Sequence, residues 1–129
     1  MLTTAQPIVE IAKDTYEIDE FDCGSIFVLV GKDKAMVIDT GTGIGDLPAV
    51  IRKITDKPIV LVITHAHGDH TGGLGWFDEY YMNAADEGKY DMGGADFRRN
   101  YAHSIAQRSG KTYPYDPETD IQPWPADAH

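Results

Sequence analysis

Short apolar runs separated by polar turns occupy much of the first half of the chain and predict strands. Three of them, TYEI at 15–18, SIFVLVG at 25–31 and AMVID at 35–39, are rich in β-branched and aromatic residues. GKDK, at 31–34, has the composition of a hairpin turn between the last two runs. A fourth run, IVLVI at 59–63, is apolar without alternation, which indicates a strand covered on both faces.

The segment DLPAVIRKIT, at 46–55, repeats its apolar residues with the period of a helix. Asp46 can cap this helix, and Pro58 prevents it from continuing. The apolar stripe recurs at positions i, i+3, i+4 and i+7 and consists of Leu47, Val50, Ile51 and Ile54.

A second helical pattern is ADFRRNYAHSIAQRS, at 95–109. Its apolar stripe contains Phe97, Tyr101 and Ile105, which predicts that this side of the helix is buried. Three basic residues lie off the stripe and are expected to face solvent: Arg98, Arg99 and Arg108.

The order of these elements predicts the fold class. Strands come first and then alternate with helices, which indicates an α/β (α+β) fold with a mixed sheet and helices on one face. No linker divides the chain before Gly110, so we expect residues 1–109 to form one unit. The Pro-rich segment 110–129 has no periodicity and is expected to be a loop or tail, or the start of a second half.

Composition restricts the classes of partner. The chain has 129 residues and a formal net charge of -10, which repels phosphate backbones and anionic lipids, so neither nucleic acid nor a membrane is expected. No apolar run approaches the ~20 residues of a membrane span. Cys23 is the only cysteine, which excludes an intramolecular disulfide and favours a cytoplasmic location. We expect Cys23 to be a buried apolar residue rather than a nucleophile.

The segment THAHGDH, at 64–70, places three of the five histidines directly after the strand at 59–63. Residues two apart in an extended segment point the same way, so His65 and His67 can present imidazoles to one point. Gly68 permits a sharp turn that brings Asp69 and His70 around the same point. Because zinc and non-haem iron accept imidazole and carboxylate together, the segment predicts a metal site.

The loop GTGIG, at 41–45, follows a strand and precedes a helix, where a dinucleotide fingerprint would lie. Asp46 stands where that fingerprint has its third glycine, and its charge would oppose a pyrophosphate. We therefore expect this loop to line the metal cleft.

The motif THAHGDHTGG resembles the His-x-His-x-Asp-His signature of the metallo-β-lactamase superfamily. VIDTGTG resembles the Asp-Thr/Ser-Gly strand end of that superfamily, and GSIFVLVGKDKAMVID resembles the hairpin that precedes it. The resemblance covers about residues 15 to 85. It implies a metallo-β-lactamase-like αββα sandwich, of which this chain matches the first half and is apparently incomplete.

The resemblance also implies roles for individual residues. His65 and His67 would serve a first metal ion, Asp69 and His70 a second, and Asp39 would hold a ligand in place through a hydrogen bond. The family's usual activity is hydrolysis by a metal-bound hydroxide, which agrees with the ability of a dication to lower the pKa of bound water toward ~7. Asp69 can also take part in proton transfer, which makes it the candidate catalytic residue.

Two positions restrict which branches of the family the motif resembles. Branches that use a cysteine in the second metal site typically lack His70, and a flavodiiron-type pattern would replace His67 by Glu. Persulfide dioxygenases and glyoxalase-type thioesterases share the motif, so iron oxygenation and thioester cleavage both stay open.

Complete members of the family are longer and supply another His, a bridging Asp and a final His as ligands. After the motif this chain offers only His103 and His129, and His103 lies in the predicted helix, where we expect it to face solvent or pack. We therefore expect either the N-terminal portion of a longer protein or a partner chain that completes the sandwich.

The sequence thus predicts a metal-dependent hydrolase acting on a small molecule through an ester, thioester, lactone, amide or phosphoester bond. Zinc is the expected cofactor, with two ions in a complete site, and iron or manganese are alternatives. The rival reading is a catalytically silent fragment or interaction module that lacks the remaining ligands. The third hypothesis is an iron-dependent oxygenase on the same scaffold.

Overall fold

The computed structural model describes residues 2–64, 72–77, 79–82 and 95–122 and contains one mixed sheet. Its six strands lie in sequence order, the first four antiparallel and the last three parallel to each other. They are β1 (Ile8–Ala12), β2 (Thr15–Asp19), β3 (Ser25–Val30), β4 (Ala35–Ile38), β5 (Ile59–Ile63) and β6 (Tyr81–Met82). The mixed sheet predicted from the sequence is confirmed, with β1 as an additional edge strand.

Within the described ranges, three α-helices accompany the sheet: α1 (Leu47–Arg52), α2 (Ala95–Ser109) and α3 (Pro117–Asp120). The cap predicted for α1 is confirmed, because the Asp46 side chain accepts a hydrogen bond from the Ala49 N–H at 3.1 Å. A single 3₁₀ turn, Leu74–Trp76, precedes β6. No helix within the described ranges is long and apolar enough to cross a bilayer.

One face of the sheet packs against α1 and forms the main core. Val28, Val37 and Leu61 stand side by side on β3, β4 and β5 and are buried. Helix α1 adds the buried residues of its predicted stripe, Leu47, Val50 and Ile51. Burial of this apolar surface is the main stabilising contribution and orients the ends of β4 and β5.

The other face of the sheet is apolar but less covered. Leu29, Met36 and Val60 are cross-strand neighbours there, and Leu29 and Met36 are 38% and 40% exposed. On β5 only Leu61 and Ile63 are buried, while the remaining residues are half-buried. The prediction that β5 is covered on both faces is therefore wrong for the structure as described.

The orientation predicted for α2 is wrong at Phe97 and Arg98. Arg98 is 1% exposed, whereas Phe97, on the supposed buried stripe, is 52% exposed. The physical reason is that the Arg98 guanidinium donates hydrogen bonds to two backbone carbonyls, so the cation is compensated inside the protein. The rest of the stripe is as predicted, because Tyr101 and Ile105 are partly buried and pack against the apolar cluster that includes the fully buried Ala102.

Part of the segment after Gly110, expected as a loop or tail, packs against the body of the protein. Tyr115 stacks on Phe21 with ring centroids 4.5 Å apart. Ile121 is fully buried and forms an antiparallel bridge with Ile44. With α3 included, residues 111–122 therefore close a second apolar cluster over the turn between β2 and β3.

Candidate metal centre

The carboxyl ends of the parallel strands β4 and β5 meet at one edge of the sheet. Ile38 is paired with Val62, and the Asp39 N–H donates to the Val62 carbonyl oxygen at 2.8 Å. Parallel pairing brings together the residues that follow each strand, here Asp39 and Thr64. This edge is where ligand-binding residues are commonly found in sheets of this kind.

Asp39 binds Thr64 through both carboxylate oxygens. Oδ1 accepts from the Thr64 N–H at 2.7 Å, and Oδ2 accepts from the Thr64 hydroxyl at 2.8 Å. Asp39 is 5% exposed and has a φ of 67°, a left-handed conformation that Asp tolerates better than most residues. The buried carboxylate therefore fixes the residue directly before His65.

The four predicted metal ligands, His65, His67, Asp69 and His70, lie outside the described residues. What the structure does describe are the residues on either side of that segment, Thr64 before it and Gly72 after it. Among the described ranges no group of three His, Cys, Asp or Glu side chains could hold a metal ion. The ligand assignment consequently stays a prediction.

The loop after Asp39 binds the residues that follow the histidine segment. Gly72 N–H donates to the Gly41 carbonyl oxygen at 2.7 Å, and Gly73 N–H donates to the Thr40 hydroxyl at 3.0 Å. Thr40 is fully buried. The GTGIG loop thus supports the segment on its C-terminal side, as Asp39 supports it on the N-terminal side.

Two glycines make this contact possible. A Cβ on Gly43 would lie 2.3 Å from the Gly72 carbonyl oxygen, and a Cβ on Gly72 would lie 2.1 Å from the Thr42 carbonyl carbon. Both distances fall far inside van der Waals contact, and the obstacle in each case is backbone. Gly43 also has a φ of 85°. The two loops therefore pack backbone against backbone.

Glu20, at the turn between β2 and β3, lies beneath the same loop. Its Oε1 accepts from the Thr42 N–H at 2.5 Å, and its Oε2 accepts from the N–H groups of Gly43 and Ile44 at 3.0 Å each. Glu20 is 2% exposed, and this burial raises its pKa to about 7 even though the three backbone N–H groups act to lower it.

Arg98, from α2, binds a backbone carbonyl of the loop, whereas Glu20 binds its N–H groups. One guanidinium nitrogen donates to the Thr42 carbonyl oxygen at 3.2 Å, and the other donates to the Gln122 carbonyl oxygen at 2.6 Å. Burial lowers the pKa of Arg98 to about 10, while the negative charge of Glu20 acts in the opposite direction. Arg98 remains a cation at neutral pH and compensates the acid beneath the loop.

Glu20 and Arg98 were not among the site residues predicted from the sequence. The only signal in the sequence was the close spacing of glycines in GTGIG, which is typical of a backbone that approaches other groups closely. The loop contacts Gly72 through the Gly41 carbonyl oxygen, and the expectation that it lines the metal cleft stays a prediction.

Two other sequence predictions fall on described residues. His103 is on the surface of α2, and its Nε2 lies 2.9 Å from Glu118 Oε2, as expected for a solvent-facing residue. Cys23 is 2% exposed, and burial raises the pKa of its thiol to about 12, which confirms a buried apolar role. His129 lies outside the described residues.

Curated relatives with detectable similarity are acyl-coenzyme A thioesterases. The thioesterase MBLAC2 of Gallus gallus is 32% identical over 71 residues, which cover 48% of this chain and 26% of the relative. The Homo sapiens protein of the same name is 31% identical over 74 residues, with the same coverage. The match therefore spans about a quarter of the length of these relatives.

Solved structures with the same fold include two metallo-β-lactamases. DIM-1, in a crystal exposed to ceftazidime, has a TM-score of 0.54 at 15% identity and is matched over 87% of this chain and 50% of its own. TMB-1 has a TM-score of 0.52 at 21% identity over 83% of this chain and 49% of its own. At these identities the likeness shows the fold alone, and about half of each structure is matched.

The family model of the metallo-beta-lactamase superfamily matches residues 21–128. This range includes β3, β4 and β5, the GTGIG loop and the histidine segment. The order of the strands, the Asp39 to Thr64 contact at the sheet edge and the resemblance of the motif all agree with that match. The chain belongs to the metallo-beta-lactamase superfamily.

Proposed function

We propose that this protein is a metal-dependent hydrolase in which His65 and His67 serve a first metal ion and Asp69 and His70 serve a second. The observation that carries the proposal is that the described residues on both sides of this segment are fixed to the end of β4. Asp39 binds Thr64, Gly41 of the GTGIG loop binds Gly72, and Thr40 binds Gly73. Placing ligands on a short segment supported at both ends is how a protein preorganises a metal site.

The side chains present fit zinc by their chemistry. Three imidazoles and a carboxylate form a donor set that zinc accepts, and the buried Asp39 provides the kind of hydrogen-bonded support that metal sites need. A divalent metal bound there would lower the pKa of a bound water toward ~7 and polarise a substrate carbonyl. Asp39 would hold Thr64, and with it the start of the ligand segment, while Asp69 would accept or release a proton.

A thioester is the substrate class to test first. The curated relatives are named as acyl-coenzyme A thioesterases, and thioester cleavage is one of the reactions that the motif leaves open. Ester, lactone, amide and phosphoester bonds follow in the same screen. Iron or manganese in place of zinc would change the chemistry without changing the ligand residues.

One observation favours a second candidate, a catalytically silent module. Complete family members use a further histidine after the motif, and His103, one of the two that this chain offers, is paired with Glu118 at the surface. With too few ligands, a metal would bind more weakly and hydrolysis would be lost.

The test combines elemental analysis of the purified protein with an acyl-coenzyme A hydrolysis assay that detects the released thiol. We expect bound zinc, up to about two ions per chain in a complete site, and thioester cleavage. His65→Ala should lose both, whereas the matched variant His103→Ala should keep both. Zinc without turnover supports the silent module, and iron with oxygen-dependent turnover supports an oxygenase. Equal metal content in wild type and His65→Ala refutes the proposed ligands.

A further inference from the structure

The buried carboxylate of Glu20 is not part of the motif, yet it lies under the loop that supports the motif. It is separated from Thr42 by 22 positions in sequence and receives three consecutive backbone N–H groups, those of residues 42–44. Consecutive backbone N–H groups form a small positive concavity, which the oxygens of an acidic side chain fill. The loop conformation therefore depends on an acceptor at this point.

The same loop presents its other backbone groups to the chain that follows the ligand segment. The Gly41 carbonyl oxygen accepts from Gly72 N–H, and Thr42 is the backbone that a Cβ on Gly72 would strike. Because the contact is backbone against backbone with no flexible side chain between, a shift of the loop must move Gly72 as well.

Arg98 completes the support from the far side. Its guanidinium donates to the Thr42 carbonyl oxygen while the Glu20 carboxylate accepts from the Thr42 N–H. Glu20 thus binds the N–H and Arg98 the carbonyl of one residue, Thr42, which is fully buried. A carboxyl group on one side and a guanidinium on the other hold both backbone polar groups of Thr42, which restrains the loop more than either contact alone would.

We infer that Glu20 is a positioning residue for the metal centre, acting through the loop 40–45 to fix Gly72 and Gly73, where the ligand segment 65–71 rejoins the fold. The inference rests on the proposed function for its consequence, metal affinity. Its structural part, the coupling between Glu20 and Gly72, does not depend on a bound metal.

The experiment compares Glu20→Gln with Asp120→Asn. Both variants replace a buried carboxylate by its amide, but the Asp120 side-chain oxygens accept from the Thr3 and Asp116 N–H groups. Asp120 contacts the loop only through its backbone carbonyl oxygen, which accepts from Gly45 N–H and which asparagine keeps. In Glu20→Gln an NH₂ group faces at least one backbone N–H. Amide hydrogen exchange is measured in metal-free protein, followed by zinc affinity with a competing chelator and the visible spectrum of the cobalt-substituted protein.

We expect Glu20→Gln to speed exchange of the Gly72 and Gly73 amides at least tenfold, weaken zinc binding at least tenfold and alter the cobalt spectrum. Asp120→Asn should leave all three unchanged. If Thr42, Gly43 and Ile44 exchange faster in Glu20→Gln while Gly72 and Gly73 keep their protection, the coupling is absent and the inference is overturned. If wild type binds no zinc, the proposed function fails, and the exchange data alone decide on the coupling.

Arg98→Lys is the second variant, for use if Glu20→Gln does not fold. Lysine keeps the positive charge but cannot donate to the Thr42 and Gln122 carbonyls through a planar fork. It should accelerate exchange at Gly72 in the same direction and by a smaller factor. Unchanged exchange at Gly72 in Arg98→Lys contradicts the two-sided support of the loop.

Discussion

The Asp39 carboxylate accepts hydrogen bonds from both the backbone N–H and the hydroxyl of Thr64, at 2.7 Å and 2.8 Å. These two residues follow neighbouring parallel strands, so the contact joins the ends of β4 and β5. Since Thr64 directly precedes the first predicted ligand, the same contact connects the stability of the sheet edge to the geometry of the proposed metal site.

Removing the Asp39 carboxylate should therefore affect both properties. Asp39→Ala leaves the Thr64 groups without these acceptors and places alanine at a φ of 67°, so we expect the free energy of unfolding to fall by about 2–4 kcal/mol. We also expect zinc affinity to fall about 10–100-fold, as for other residues that orient metal ligands. Urea unfolding and chelator competition measure the two effects.

Asp39→Asn is the matched control for this change. Asparagine tolerates the left-handed conformation and keeps one oxygen that can accept from the Thr64 N–H. Its losses should be clearly smaller than those of Asp39→Ala. Equal zinc affinity in wild type, Asp39→Asn and Asp39→Ala would show that Asp39 has no supporting role at the metal.

Glu20 should give the folded protein a distinct pH dependence. Its pKa is raised from 4.5 to about 7 in the folded state, so folded protein keeps a proton that unfolded protein releases. The stabilising contribution is fully present below pH 4.5 and is lost as the pH rises through 7. Relative to Glu20→Gln, which cannot titrate, wild type should lose on the order of 3 kcal/mol between pH 4.5 and pH 8.

Urea unfolding of both proteins at several pH values measures this difference. Groups that titrate in both proteins cancel, and Arg98 stays charged throughout because its pKa is about 10. The decisive result is the sign of the slope when the stability of wild type relative to Glu20→Gln is plotted against pH. Parallel stability curves for wild type and Glu20→Gln would mean that Glu20 is ionised with an ordinary pKa in the folded protein.

The strands from β2 to β5 and helix α1 were predictable from the sequence because their signals are local. Periodic apolar residues and the Asp46 cap act within a few positions of the elements they specify. The contact between Asp39 and Thr64 was not predicted, because it depends on the parallel pairing of β4 with β5. The resemblance to a family then supplied the roles of the histidine segment.

The support beneath the candidate site was not predictable in the same way. Glu20 and Arg98 reach Thr42 across 22 and 56 sequence positions, and such single long-range contacts leave no periodic trace. In α2 the apolar stripe was misleading at Phe97 and Arg98, because a fully compensated arginine can take a buried position in place of an apolar residue. Charged residues that bind a loop backbone can be identified only when the conformation of the loop is known.

Cys23 should be unreactive in the folded protein. The thiol is 2% exposed and its pKa is about 12, so at pH 8 only about one molecule in ten thousand carries the reactive thiolate. A chromogenic disulfide reagent should therefore label folded protein very slowly and label one thiol per chain rapidly in urea. Rapid labelling without denaturant would contradict the packing of Cys23 beside Tyr115.

Gly43 and Gly110 offer a matched pair that separates backbone conformation from steric contact. Both have a positive φ, 85° and 68°, but a Cβ on Gly110 meets nothing within 4 Å whereas one on Gly43 lies 2.3 Å from the Gly72 carbonyl oxygen. Gly110→Ala should cost about 1–2 kcal/mol of unfolding free energy for the conformation alone. Gly43→Ala should cost at least about 2 kcal/mol more, since two backbones must separate.

Zinc affinity provides the second measurement on this pair. Gly110 lies after α2 and away from the loop 40–45, so Gly110→Ala should bind zinc as wild type does. Gly43→Ala displaces the backbone that holds Gly72, and we expect at least a tenfold weaker affinity in molecules that remain folded. Similar stability and similar zinc binding in the two variants would mean that the packing of Gly43 on Gly72 does not support the ligand segment.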